Sequence, residues 1–163
     1  MEDFLHRNGK VYRLRAAGGE DREEIVRLVR SILPEFGEVY DEQRSESDLV
    51  DIGKTYEEPG GIFLVLVGDD QHIIGTAGLI PLGAGCCKLR KMYIDGGHRK
   101  LGLGQLLLDT IFKKAKALRF SKIMLETITS MEAAIAMYEK SGFRRIGRQT
   151  ASSRCDIPME KEL

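Results

Sequence analysis

Apolar and polar positions along this chain repeat with two periods, and the switch between them marks out the elements. Val11 to Ala17 alternates apolar and basic residues, which predicts a first strand closed by Gly18-Gly19. Ile25, Leu28, Val29, Ile32 and Leu33 then recur at helical spacing, and Pro34 stops that helix. Residues 35 to 58 are polar and acidic, with a short helix predicted near Ser45 to Ile52. Ile62 to Val67 and Ile73 to Ile80 are unbroken β-prone runs, and the polar Gly68-Asp69-Asp70-Gln71 between them predicts a hairpin. Cys86 to Ile94 forms the fourth strand.

A helix of about 102 to 118 follows, burying Leu108, Ile111, Phe112, Ala115 and Leu118. Lys113, Lys114, Lys116 and Arg119 complement the negative end of its dipole. Lys122 to Thr127 is the fifth strand. Thr129-Ser130-Met131-Glu132 has capping-box spacing, and Met131, Ala134, Ile135 and Tyr138 share one face of the helix it would start. Gly142 is the natural C-terminal cap, and Phe143 to Arg148 and Arg154 to Met159 supply two final strands. Hairpins early and strand–helix–strand crossovers late predict an α/β domain on a mixed sheet.

Composition narrows the function classes more than it selects one. The 163 residues suit a single domain over 1–163, with 42% apolar and 31% charged residues. No stretch approaches the roughly 20 apolar residues of a membrane helix. The start, Met1 to Arg7, carries no signal or transit pattern, so a cytoplasmic location is expected. Adjacent Cys86 and Cys87 would point to opposite faces of a strand, and His6, His72 and His98 lie far apart, so no metal site is expected.

The most informative stretch is Arg99-Lys100-Leu101-Gly102-Leu103-Gly104, between the fourth strand and its helix. Two glycines there let the backbone approach a ligand and open several N–H groups toward it, at the positive end of a helix dipole. Such a site is built for a phosphate group, here a pyrophosphate. A dinucleotide fingerprint fails because Leu107 stands where the third glycine belongs. Gly53-Lys54-Thr55 fails as a P-loop because Asp48 replaces its first glycine and no strand leads into it.

Residues Met92 to Gly104, followed by Ala134-Ile135-Ala136-Met137-Tyr138 and Gly142-Phe143, resemble the GNAT superfamily of acyl-CoA-dependent N-acetyltransferases. The Arg/Gln-x-x-Gly-x-Gly/Ala pattern is met by Arg99, Gly102 and Gly104, and the later block is met with Met137 for leucine. The resemblance implies a mostly antiparallel sheet of six to seven strands, splayed between the fourth and fifth and flanked by about four helices. Acetyl-CoA would enter that splay as cosubstrate, pairing with backbone groups of Met92, Tyr93 and Ile94. Amides of Arg99, Lys100, Leu101, Gly102, Leu103, Gly104 and Gln105 would hold its pyrophosphate. Three positions depart from the pattern: Lys100 where glycine is common, Gly96 for a frequent proline and Met131 for a common asparagine.

Charge and chemistry complete the reading. Lys88 to Arg148 holds 14 basic and 5 acidic residues, whereas Glu35 to Glu58 holds 9 acidic and 2 basic ones. The acidic segment either draws a cationic amine acceptor to the site or is merely solvated. The basic half suits a polyanion such as CoA. Without interleaved exposed aromatics or a recognisable motif, no nucleic-acid partner is expected, nor a membrane; a homodimer is a candidate assembly. The family comparison places Tyr138 as the acid that protonates the leaving thiolate, although periodicity alone makes it a core residue. A backbone amide near Ile94 would bind the carbonyl oxygen. The fourth strand has no carboxylate, so Glu126 on the fifth is the candidate base, with a salt bridge as its other reading. The expected activity is transfer of an acetyl group to a primary amine in a ternary complex. The alternative is a non-catalytic acyl-CoA sensor or protein-interaction module.

Overall fold

A computed structural model describes residues 2–147, 149–150 and 154–163. β1 (Asp3–Arg7) and β2 (Lys10–Ala16) form a hairpin and α1 (Arg22–Ile32) follows. β3 (Ile62–Val67), β4 (Ile73–Gly83) and β5 (Cys86–Ile94) make an antiparallel meander. α2 (Leu103–Ala117) then crosses to β6 (Lys122–Thr127), and α3 (Glu132–Lys140) leads to β7 (Arg144–Arg145) and β8 (Ile157–Glu162). The eight strands lie in the order β1-β2-β3-β4-β5-β6-β8-β7, and only β5 and β6 pair in parallel.

β1, hairpinned onto the strand expected over Val11 to Ala17, is the addition to the predicted sheet. Asp3–Arg7 has no apolar alternation, yet Asn8 and Gly9 turn at φ 51° and 74°, the geometry an Asn-Gly pair adopts in a tight hairpin. The other strands fall close to expectation, with β8 running on to Glu162. Arg148, in the predicted strand from Phe143, lies outside the described residues.

Each face of the sheet carries its own core. β3 supplies both: Leu64 and Leu66 face α2 and α3, while Phe63, Val65 and Val67 face α1. That is why its run of apolar residues has no polar alternation. On the α1 face, Ile25, Leu28, Val29 and Ile32 pack with Leu49 and Tyr56. On the opposite face, Leu103, Leu107, Leu108 and Ile111 of α2 pack with Tyr138 of α3 and Phe143. α3 ends as predicted at Gly142, whose φ is +95°. Phe143 N–H reaches Tyr138 O at 3.0 Å and Gly142 N–H reaches Glu139 O at 3.1 Å. The same turn brings the Tyr138 and Phe143 rings to 5.6 Å.

Two local expectations are corrected. The capping box does not form: α3 begins after Met131 without a side-chain cap, and the Thr129 hydroxyl instead bonds Asp156 at 2.6 Å. An aspartate from a distant strand end outcompetes the local partner, because a carboxylate is the stronger acceptor for both Thr129 donors. The helix expected over Ser45 to Ile52 is a 3-10 turn at Ser47–Leu49 and a π-helical turn at Gly53–Glu57.

This acidic stretch is fastened to the sheet by charge. Lys91, on β5, adopts φ +52°, and the two residues Lys91 and Met92 oppose the single Ala77 of β4. The resulting bulge puts the side chains of Arg90 and Lys91 on one face, where regular alternation would separate them. Lys91 Nζ lies 3.2 Å from Asp48 and 2.9 Å from Ser45 O, with Glu46 at 3.9 Å. Asp48 also accepts the Tyr56 hydroxyl. Burial pulls the Lys91 ammonium below its ordinary range, and Asp48 and Glu46 oppose that pull. Asp48→Asn leaves this ammonium buried without its nearest carboxylate, so a loss of about 3 kcal/mol is expected in denaturant unfolding. Replacing the pair together, Asp48→Leu with Lys91→Met, is expected to recover only part of that loss, because the buried Tyr56 hydroxyl then lacks its acceptor.

Candidate functional site

The ladder between β5 and β6 stops short. Cys86, Cys87 and Lys88 pair with Lys122, Ile123 and Met124, and beyond Lys88 no residue pairs across. Residues 89–94 on one lip and 125–127 on the other therefore edge an opening through the sheet. Backbone groups along such lips need partners from elsewhere.

At the end of the opening the chain turns through the glycine loop. Lys100 and Gly102 both take left-handed backbone conformations, φ 62° and 76°. Lys100 thus keeps a geometry natural to glycine although it has a side chain. Gly102 caps α2 without a side chain to offer, and hydrogen bonding into the helix begins with Leu106 N–H on Gly102 O at 3.1 Å. The amides of Leu103, Gly104 and Gln105 precede that first bond and project from the positive end of the dipole. Gly104 permits close packing: a Cβ there would lie 3.4 Å from Met137 Sδ and 3.9 Å from Ile94.

The approach to the loop is stiffened by side chains in place of the absent proline. Asp95 accepts from Gly97 N–H at 3.1 Å and pairs with His98 Nδ1 at 2.9 Å. The Arg99 guanidinium turns away from the helix end, with Nε on Ile94 O at 3.0 Å and Nη1 on Glu35 at 2.5 Å. Across the opening, Ser130 Oγ donates to Phe36 O at 3.3 Å. Glu35 and Phe36 therefore bridge the two lips.

On the α1 face the opening leads into a cavity of about 450 Å³, roofed by the acidic segment. Glu126 reaches it from β6, with its side chain 3% exposed and Oε2 3.0 Å from Lys88 Nζ. Glu126 is thus ion-paired, and it also stands on the wall of the cavity. Tyr93 and Arg154 also line this space, as do Lys88, Arg90 and Lys91. The Tyr93 phenol is pushed well above its ordinary range, first by burial and then by Glu46.

Tyr138 stands elsewhere. It belongs to the core on the α2–α3 face and does not line the cavity. Burial alone holds its phenol well above the ordinary range, so it stays protonated at neutral pH. The opening lies between the faces that carry Tyr138 and Glu126.

Two carboxylates of the acidic segment are buried and paired. Asp48 and Glu46 are 4% and 0% exposed and are held by Lys91, Arg90 and Arg154. Arg154 also pairs with Glu38 at 3.0 Å. These two buried carboxylates are matched by the basic residues of β5 and by Arg154. Lys88, Arg90 and Arg154 were missed as site residues, although Lys88 and Arg90 alternate with buried Cys87 and Leu89, a polar face on a strand with no solvent side. Among the described residues, no group of three His, Cys, Asp or Glu could hold a metal ion and no helix is long and apolar enough to cross a membrane.

A profile of the acetyltransferase (GNAT) family matches residues 25–143. The chain belongs to this family. The uncharacterised N-acetyltransferase YjgM of Escherichia coli is 30% identical over 152 residues, 88% of this chain and 90% of its own. A GNAT-family acetyltransferase of Staphylococcus aureus Mu50 superposes with a TM-score of 0.88 at 28% identity, covering 93% of this chain and 98% of its own. A GNAT phosphinothricin acetyltransferase of Sinorhizobium meliloti, solved in complex with AcCoA, shares the fold. Its TM-score is 0.74 at 19% identity, over 92% of this chain and 87% of its own. This GNAT protein is an acyltransferase, and its mostly antiparallel sheet with flanking helices is the family's architecture.

The strand edging the opening also carries a thiol. Cys87 is fully buried, and burial pushes it up to about 12. In the native protein at pH 8, Cys87 is expected to resist an aromatic disulfide reagent until denaturant is added, as followed by absorbance. Rapid modification of all three cysteines in the folded protein would contradict that placement.

Proposed function

We propose that this GNAT protein transfers the acetyl group of acetyl-CoA to a primary amine by direct attack in a ternary complex. The observation that carries the reading is the β5–β6 ladder ending after three residue pairs, directly above a helix start led by glycine. The lips supply backbone donors and acceptors from Met92, Tyr93 and Ile94 for an extended amide-bearing arm. The amides from Arg99 to Gln105 supply the donor set for a pyrophosphate. The Arg99 side chain fixes the loop from behind, since it is engaged by Ile94 O and Glu35. Those donors fit the two chemically distinct parts of CoA, and the relative solved with AcCoA supports the choice of cosubstrate.

Acetyl-CoA brings an acyl carbon already activated by its thioester, so the protein needs to position groups and move protons. A backbone amide near Ile94 stabilises negative charge on the carbonyl oxygen as the amine nitrogen bonds to carbon. Glu126, on the cavity side, accepts the proton lost by the nitrogen, directly or through water. Tyr138, on the opposite face and protonated at neutral pH, gives its proton to the sulfur as the C–S bond breaks. The products are an amide and the free thiol of CoA, and the phenol regains its proton from solvent.

Purified protein is to be assayed for thiol release across amino acids, polyamines, aminoglycosides, peptide N-termini and lysine peptides. Tyr138→Phe is expected to lower kcat about 100-fold while calorimetric affinity for acetyl-CoA stays unchanged. Protein that binds acetyl-CoA yet acetylates no amine would instead be a sensor. No heat of association with acetyl-CoA would refute the cofactor assignment itself.

A further inference from the structure

Resting on that reading, we infer that the amine acceptor carries a carboxylate, and that Arg90, assisted by Lys88, selects it. The cavity beside the opening measures about 450 Å³. That volume suits a small molecule or a chain end, within the roughly 300–1,000 Å³ of ligand sites. Five cations line it: Arg44, Lys88, Arg90, Lys91 and Arg154. Only Glu38 and Glu126 oppose them on the wall among the described residues.

Partners separate these cations into two groups. Lys91 is seated on Asp48 and Ser45 O, and Arg154 on Glu38 and Glu46. Arg44 is 86% exposed at the rim. Arg90 differs from all three. Its nearest carboxylate, on Asp48, is 3.7 Å away and already serves Lys91 and Tyr56. Its nearest hydrogen-bond acceptor among the described residues is Ser45 O at 3.3 Å. A guanidinium has five N–H donors in a fork that fits a carboxylate, and this one is only loosely engaged.

Lys88 lies two residues along β5 on the same face, and its ammonium gives one hydrogen bond to Glu126 at 3.0 Å. Two of its donors are left for a ligand. A carboxylate lodged at Arg90 and Lys88 leaves an amine on the same molecule free to face Glu126. A polyamine would set a second ammonium against the Arg90 guanidinium, which like-charge repulsion disfavours. The acidic segment cannot reverse that preference, because Asp48 and Glu46 are buried beneath basic residues.

The experiment compares amines that differ only in the carboxylate: alanine with ethylamine, phenylalanine with phenethylamine, lysine with cadaverine. Thiol release gives kcat/KM for each, and calorimetry with acetyl-CoA on the same protein reports cosubstrate binding. The carboxylate-bearing member is expected to be preferred at least ten-fold in the pairs that react, about the worth of one charged hydrogen-bonded contact. Arg90→Gln is expected to shrink that ratio at least five-fold through KM, and Arg90→Lys to restore part of it. Equal or better use of the decarboxylated amines overturns the inference, as does a ratio that Arg90→Gln leaves unmoved. Transfer in either case leaves the acetyltransferase reading standing. Acetyl-CoA binding with no transfer to any member overturns the inference, and the wider amine panel then decides the acetyltransferase reading.

Discussion

A β-strand edge inside a protein must find partners for its N–H and C=O groups, and this fold meets that demand for only part of the β5–β6 pair. Parallel pairing needs a crossover, and α2 provides it, so the helix start necessarily lands beside the strand end. The incomplete ladder and the exposed amides of α2 are thus two results of one connection. Together they leave a strip of backbone and a cluster of N–H donors side by side. The rest of the molecule keeps this arrangement in place. The meander on one side, bulged at Lys91, and β8 on the other pair with the two lips.

A second organising feature is the internal division of charge. The buried carboxylates of the acidic stretch between α1 and β3 meet Lys91, Arg90 and Arg154. The bulge at Lys91 makes that meeting geometrically available by turning two consecutive basic residues to one side. Polar docking of this kind orients a cover more sharply than apolar contact, since each ion pair has one register. It also leaves behind a cavity whose walls carry charged side chains beside apolar ones.

Much of this was readable in the chain, for identifiable reasons. The α2 glycines, the Gly142 cap and the two apolar stripes are local signals that no distant residue displaces. The resemblance on Met92–Gly104 and Ala134–Phe143 pointed to the family and to a divided sheet. What stayed hidden was decided by residues far apart. Thr129 answers to Asp156 rather than to Glu132, and Asp48 answers to Lys91, 43 positions later. Arg90 is a further case, since only the covered face of β5 distinguishes it from an ordinary solvated arginine. The first hairpin was legible in principle, from Asn8-Gly9, although its strand lacks alternation.

The short stretch at Glu35 and Phe36 deserves its consequence. Glu35 grips Arg99 on the β5 side, and the Phe36 carbonyl takes the Ser130 hydroxyl on the β6 side. A single peptide is therefore stapled to both banks of the fissure, like a stitch across a split. Any guest that wedges the banks apart strains that stitch, and any guest that draws them together slackens it. The end of the segment that follows α1 is thereby tied to both sides of the sheet opening, so a change in the width of that opening is felt in the cover above the cavity.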